Sequence, residues 1–187
     1  MPVLLAVALG ASAVAPAGAR VLLSTEEALN LAFPGCKVER GTVYLTEAQL
    51  AAARRLAGVE VRGAVVHPYA ARCDGRPGGT AYFDVHRVRT LPETVMVVVA
   101  PDGEVTRIEV LSFQEPEDYL PRRGWYQQFE GERLDGDLRL KGDIRGIAGA
   151  TLTARATTEA VRRVLALHRV LSAPPGGGEA RREKRER

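Results

Sequence analysis

The chain has 187 residues, which allows one domain with a short targeting segment or tail and excludes two large domains. Two cysteines and three histidines without tight spacing do not supply a four-ligand zinc site, and the sequence has no Cys-x-x-Cys-His for covalent haem. The formal net charge is +3, but the last nine residues carry five basic and three acidic side chains, so the rest nets only +1. We therefore expect no metal site and no nucleic-acid partner.

The N-terminal segment has the composition of an export signal. Residues 2–19 are apolar and uncharged, and Ala17-Gly18-Ala19 precedes Arg20. An apolar run followed by an Ala-x-Ala-like site is typical of a secretory signal peptide. We predict a signal peptide at residues 1–19 and a periplasmic protein, attached to the inner membrane where the signal is not cleaved. A buried N-terminal helix is the alternative.

Export bears on the two cysteines, Cys36 and Cys73. In an oxidising compartment they can form a disulfide. Two unpaired, partly buried thiols are the alternative, and the sequence leaves both open.

Two helices are predicted near the start of the mature chain. The first begins at the sequence Ser24-Thr25-Glu26-Glu27 and ends at Pro34-Gly35. The second begins at Thr46, with Gln49 three residues later as in a capping box, and runs to Gly58. A third helix is expected later, over about residues 154–171, where apolar residues follow helical spacing.

The middle of the chain is rich in strand signals. Apolar and alternating patterns predict strands over residues 38–45, 59–69, 80–88, 94–100 and 105–113. The continuous apolar run 94–100 indicates a buried central strand, and Pro101-Asp102-Gly103 predicts the turn of a hairpin with 105–113. The glycine- and proline-containing stretch 72–78 is predicted as a loop.

The segment 143–153 (DIRGIAGATLT) is the best candidate for chemistry. Gly149 and Ala150 leave space for a bulky group near the backbone, and Thr151 and Thr153 place hydroxyls at a helix start. The free N–H groups and the dipole of a helix N-terminus favour a phosphate. A threonine N-cap on the final helix is the alternative.

This segment resembles the flavinylation motif of the FMN-binding domain family, which includes the C subunit of the sodium-translocating NADH:quinone reductase and the G subunit of the Rnf complex. Asp143 matches the aspartate of the motif, Gly149-Ala150-Thr151 its Gly-Ala-Thr, and Thr153 its trailing hydroxyl. The resemblance covers about residues 80–171. It implies an FMN cofactor whose phosphate a flavin transferase esterifies to Thr151.

The resemblance also suggests neighbours for the flavin. Glu115, before Pro116, matches weakly an acidic region of the family and would contact the flavin or cap its loop. Candidate ring neighbours are Tyr119, Trp125 and Tyr126, with core or lid packing as the alternative. Four arginines are candidates for the flavin phosphate or a redox partner, or else form a solvated surface: Arg87, Arg89, Arg122 and Arg123.

A second polar pair, Asp84 and His86, shares one face of a predicted strand. The pair suits a base and carboxylate, but the sequence places no nucleophile beside it, which disfavours hydrolytic catalysis.

These observations predict an α+β fold in which helices flank an antiparallel sheet and a C-terminal helix follows the Gly-Ala-Thr motif. Residues 20–79 form its N-terminal part, 80–172 an FMN-binding domain, and 173–187 a disordered charged tail. The expected function is electron transfer to or from a membrane or periplasmic redox protein, rather than free-standing enzymatic turnover. A non-covalent FMN-binding module and an exported binding or assembly module without cofactor are the alternatives.

Overall fold

The computed structural model describes residues 20–173. The predicted signal peptide and nearly all of the predicted charged tail lie outside these residues. In chain order the elements are β1 (Arg20–Val21), α1 (Thr25–Ala32), β2 (Lys37–Arg40), β3 (Val43–Tyr44), α2 (Glu47–Ala57), β4 (Val65–Val66), β5 (Tyr69–Cys73), β6 (Arg76–Arg87), β7 (Pro92–Val99), β8 (Val105–Phe113), α3 (Arg123–Tyr126) and α4 (Thr151–Ser172), with short 3-10 turns at Glu117–Tyr119 and Gln127–Phe129.

The main sheet is antiparallel and has the strand order β1-β8-β7-β6-β5-β2. Strands β3 and β4 pair separately as a short two-stranded sheet. Helices flank the main sheet, and α4 follows the Gly-Ala-Thr motif. The α+β prediction is therefore confirmed.

Strand β7 lies inside the sheet and is buried on both faces. Val95, Val97 and Val99 face the core beneath α4, whereas Met96 and Val98 pack on the opposite side with Ala28 and Phe33 of the α1 region. Burial on both faces explains why this strand has a continuous apolar sequence rather than an alternating one.

Helix α4 packs across one face of the sheet and against α2. Val161, Val164 and Leu165 join the core under the sheet. Farther along α4, Ala166 and Val170 pack with the small residues of α2. The helix begins at residue 151, three residues earlier than predicted, because Ala150 serves as its N-cap without a side-chain bond.

Three strand and loop predictions were wrong in part. The predicted strand 38–45 is split into β2 and β3 at residues 41–42, where the Gly41 N–H instead donates to the Pro68 carbonyl at 2.7 Å. Most of the predicted strand 59–69 is irregular, because Val61 is buried against α2 and α4 and its carbonyl accepts from Arg54.

The predicted loop 72–78 is mostly strand. Asp74 and Gly75 both take positive φ, at 51° and 77°, and form a tight turn that lets β5 and β6 continue on either side. The Cys36–Cys73 disulfide joins the end of β5 to the chain just before β2. The disulfide alternative is thus confirmed.

Among the helices described, none combines the length and the apolar character that crossing a membrane requires.

Candidate functional site

A cavity of about 250 Å³ lies where three segments meet: the start of α4, the turn between β6 and β7, and the chain that follows β8. Its lining consists of Val88, Arg89, Glu115, Tyr119, Gly149, Ala150, Thr151, Leu152 and Thr153. This cavity therefore brings together six of the predicted cofactor residues: Glu115, Tyr119, Gly149, Ala150, Thr151 and Thr153.

The Gly-Ala-Thr motif forms the turn that starts α4. Gly149 has φ +85°, in the left-handed region that favours glycine, while the space where a Cβ would sit is open. A glycine is thus favoured here by the left-handed backbone conformation and not by a steric clash that a Cβ would cause. The buried Ala150 follows, and its N–H donates to the Ile147 carbonyl at 3.2 Å.

The first turn of α4 presents free backbone donors to the cavity. The first N–H of this turn to be bonded is that of Ala154, which donates to the Ala150 carbonyl at 3.0 Å. Within residues 20–173, the N–H groups of Thr151, Leu152 and Thr153 have no hydrogen-bond acceptor. Such donors at the positive end of a 22-residue helix suit an anionic group such as a phosphate.

The two threonines of the motif have different surroundings. The Thr153 side chain is buried and its hydroxyl donates to the Tyr119 carbonyl at 2.7 Å, which ties α4 to the segment after β8. Thr151 is exposed, and its hydroxyl makes only a longer bond of 3.3 Å to the Ile147 carbonyl. Of the two hydroxyls, the one of Thr151 is accessible to a reagent.

Glu115 organises the turn that forms the opposite wall. Its Oε1 accepts from the backbone N–H groups of Arg89, Thr90 and Leu91 at 3.2, 2.6 and 2.8 Å, and from the Thr90 hydroxyl. Burial raises the pKa of Glu115, but these hydrogen bonds outweigh it, and the pKa lies below its usual range. The carboxylate thus caps the loop, which holds Val88 and Arg89 against the cavity.

Asp143 and Trp125 are placed outside the cavity lining. Asp143 is exposed in the loop before the motif, where its N–H donates to the Asp137 carbonyl. The Trp125 indole donates to the Arg145 carbonyl at 2.7 Å and packs edge-on against Tyr126 and Phe129. Trp125 therefore anchors the loop that leads into the motif instead of lining the cavity.

A buried network of charges lies one helical turn behind the cavity. The His86 ring bridges two carboxylates, with Nδ1 2.9 Å from Asp84 and Nε2 2.9 Å from Glu93. Arg163 of α4 binds both oxygens of Asp84, at 2.8 and 3.0 Å. Thr157, one turn along α4 from Thr153, donates to Glu93 at 3.2 Å.

The charges in this network balance. Burial disfavours the imidazolium, yet the bonds to Asp84 and Glu93 raise the pKa of His86 to about 9. Burial likewise raises the pKa of Asp84, but His86 and Arg163 outweigh it and lower that pKa to about 2. Two cations thus offset two carboxylates. The network joins β6, β7 and α4 and thereby fixes the position of α4 on the sheet.

Sequence reasoning paired Asp84 with His86 but missed Glu93 and Arg163. Glu93 is the second residue of a largely apolar strand, and it is fully buried opposite His86 in the hairpin. A carboxylate at the edge of an apolar run, placed across a hairpin from a histidine, was the available signal. Arg89 was weighed as a phosphate ligand; its position in the lining was not predictable without knowing that Glu115 holds its loop.

The lining suits a ligand with an anionic end and a flat apolar part. Backbone N–H groups, the Thr151 hydroxyl and Arg89 supply polar contacts, while Val88, Tyr119 and Leu152 supply apolar ones. These are the two kinds of contact that FMN requires through its phosphate and its ring.

Comparison with known proteins agrees with this chemistry. Residues 91–166 match the family model of the FMN-binding domain, a region that extends from the β6–β7 turn through the motif into α4. The chain matches none of the curated proteins and none of the solved structures with which it was compared. The protein is an FMN-binding flavoprotein, and its residues 91–166 belong to the FMN-binding domain family.

Proposed function

We propose that this protein is exported, carries FMN esterified through its phosphate to the Thr151 hydroxyl, and passes electrons to or from a membrane or periplasmic redox protein. The observation that carries the covalent attachment is the position of Thr151. Its exposed hydroxyl lies on the cavity beside three backbone N–H groups that have no acceptor within residues 20–173.

The attachment step follows from that position. The Thr151 Oγ forms the new bond to the flavin phosphorus and its hydroxyl proton is lost. The group displaced from phosphorus leaves with the electron pair of the broken P–O bond. The free N–H groups of α4 line the same cavity as Arg89, and both would neutralise charge on the phosphate oxygens. A flavin transferase supplies the flavin nucleotide that carries the leaving group.

A covalent link suits an exported protein. FMN held only by non-covalent contacts is lost on dilution, whereas a tethered flavin keeps a fixed effective concentration. The Cys36–Cys73 disulfide supports the same location, because disulfides persist mainly in oxidising compartments.

The size of the site supports electron transfer. The cavity of 250 Å³ is smaller than the roughly 300–1,000 Å³ typical of sites that enclose a small ligand. Part of a flavin would therefore lie outside it, within reach of a partner. The bound isoalloxazine ring supplies one- and two-electron chemistry, and the chain supplies its orientation.

The first prediction tests the attachment residue. The full chain is expressed through the export pathway with a flavin transferase, and its intact mass is measured. We expect a gain equal to FMN less one water, and Thr151→Ala should abolish it because the acceptor oxygen is removed.

Thr153→Ala is the matched control, because that hydroxyl is buried and bonded to Tyr119. This variant should keep the added mass. Loss of the mass with Thr153→Ala alone would place the ester elsewhere. Yellow protein without the mass gain would favour the non-covalent module, and colourless protein the module without cofactor.

A further inference from the structure

The second half of β6 has a free edge. Strand β5 pairs with β6 only as far as Tyr69 opposite Ala81. Beyond that point residues 82–87 pair with β7 on one side, and no other described strand pairs with them on the other. A strand edge of this kind is a template for an added strand.

The register identifies which backbone groups face outward. Val88 N–H donates to the Leu91 carbonyl at 3.1 Å, which makes these residues a hydrogen-bonded pair at the turn. Bonded and non-bonded pairs alternate in an antiparallel ladder. The non-bonded positions are Phe83, Val85 and Arg87, and the last of these faces Pro92, which has no N–H. These three residues direct their N–H and C=O groups to the open edge.

Strand β5 and strand β6 separate where the chain before Tyr69 turns away from the main sheet. Gly41 N–H donates to the Pro68 carbonyl, and the chain on both sides then bends into the small β3–β4 sheet. The two sheets diverge here, and a cleft of about 610 Å³ opens beside the free edge.

Apolar residues contribute to the lining of the cleft. Val85, which is 69% exposed, lies on the free edge itself, and the lining also includes the largely buried residues Val61, Val66, Val164 and Leu167. The free β6 edge lies within the cleft, so the same edges of two copies could not easily approach each other closely enough to pair. The occupant is therefore not expected to be a second copy. Residues 174–187 consist of proline, glycine, alanine and charged residues, a composition that disfavours strand formation.

The charge of the cleft indicates the chemistry of the occupant. Glu60 pairs with Arg62, and Asp84 with Arg163. Arg40 and Arg87 also line the cleft, and neither has an ion pair within residues 20–173, whereas Glu159 is the unpaired carboxylate on the α4 side. An excess of positive charge favours an acidic segment.

We propose that the β6 edge at residues 82–87 binds an extended acidic segment of a partner protein, which adds to the main sheet as a strand. Its backbone would bond to Phe83, Val85 and Arg87, and its carboxylates would meet Arg40 and Arg87. This surface and the flavin cavity have no lining residue in common, so the two are separate.

Hydrogen exchange of the full chain, followed by NMR, tests the edge first. The amides of Phe83, Val85 and Arg87 should exchange at least about tenfold faster than those of Tyr82, Asp84 and His86, which bond to β7. Protection of the outward amides in dilute protein would mean that the chain covers its own edge. Protection that grows with concentration would mean a second copy. Either result would overturn the proposal.

A displayed library of random nine-residue peptides tests the occupant. Selection on the full chain should enrich acidic peptides that protect the three outward amides. Val85→Pro removes one outward N–H and leaves the bonds to β7, so it should weaken these peptides about tenfold or more. Val85→Thr keeps that N–H and is the matched control.

Arg87→Glu provides a second variant that does not alter the backbone. It should weaken acidic peptides. Flavin content should stay unchanged, because Arg87, a sequence candidate for the flavin phosphate, lines the cleft and not the flavin cavity. The proposal fails if no selected peptide protects these amides, or if Val85→Pro binds as well as the original chain. Flavin content measured in parallel separates this outcome from a failure of the attachment proposal.

Discussion

A single carboxylate, that of Glu115, holds one wall of the flavin cavity in place. It accepts from three consecutive backbone N–H groups in the β6–β7 turn. Removing a buried acceptor leaves its donors unpaired, and that costs more than the bond itself contributes. Glu115 therefore couples the stability of the turn to the shape of the cavity.

We expect Glu115→Ala to lower the free energy of unfolding by about 1–3 kcal/mol, because three N–H groups lose their acceptor. Flavin content should fall as well, since Arg89 is no longer held at the cavity. Urea unfolding and absorbance measure the two effects. Glu115→Gln keeps an acceptor oxygen and should lose less of both; equal losses in the two variants would contradict this role.

His86 is the charged centre of a buried network. Its ring nitrogens both face carboxylates, which accept but do not donate when ionised. A neutral ring has one N–H, so its other nitrogen would face a carboxylate oxygen with no proton between the two acceptors. The geometry thus requires the imidazolium, in agreement with its pKa of about 9.

Stability should therefore fall as pH rises from 6.5 to about 9. The folded pKa of His86 lies above the ordinary value of 6.5, so its contribution is complete below 6.5 and is lost as pH rises through 9. Burial lowers the pKa of His168, which acts only at pH values below 6.5 and in the opposite direction. The loss should be at most about 3 kcal/mol, measured by urea unfolding across this range.

His86→Gln should remove this slope, whereas His67→Gln should keep it, because His67 is exposed and contacts only Thr42 among the described polar groups. An unchanged slope in His86→Gln would assign the pH dependence to another group.

At the scale of elements, α4 performs several tasks along its length. Its first turn lines the cavity, Thr157 and Arg163 enter the charge network, and the residues beyond pack on the sheet and α2. Arg162 adds a polar link, donating to the Ala57, Asp135 and Leu138 carbonyls. A shift of α4 on the sheet would therefore move the flavin site.

The disulfide fixes the far edge of the sheet. Cys36 and Cys73 are 37 residues apart and join the start of β2 to the β5–β6 turn. Closing a loop of this length in the unfolded chain should stabilise the fold by about 4 kcal/mol. Urea unfolding with and without reductant measures the effect. The double variant Cys36→Ala, Cys73→Ala should show the same loss and no response to reductant; a response would point to a different cause.

At the scale of the whole molecule, local sequence signals predicted most helices and strands. Where the prediction differed from the structure, tertiary contacts determined the course of the chain. The caps at Ser24 and Thr46 and the apolar run of β7 were sufficient, since each acts within a few residues. The irregular course of residues 59–64 was not predictable, because it depends on Val61 packing between two helices.

The candidate site likewise has one part that the sequence predicts and another part that depends on tertiary contacts. The Gly-Ala-Thr motif was identifiable because its residues are contiguous. Arg89 and Val88 reach the cavity only through Glu115, which lies more than twenty residues away in sequence. Asp143 has a motif position but does not line the cavity, since contiguity in sequence does not determine which side chains share a cavity.

The pairing of β1 sets how this molecule is oriented on any tether. Arg20 lies opposite Phe113, at the same end of the sheet as Glu93 and the turn that borders the cavity. Helix α4 begins at that end and carries the chain away over 22 residues, or about 33 Å. A support joined ahead of Arg20 would hold the flavin end toward itself, whereas one joined after Ser172 would leave that end facing outward.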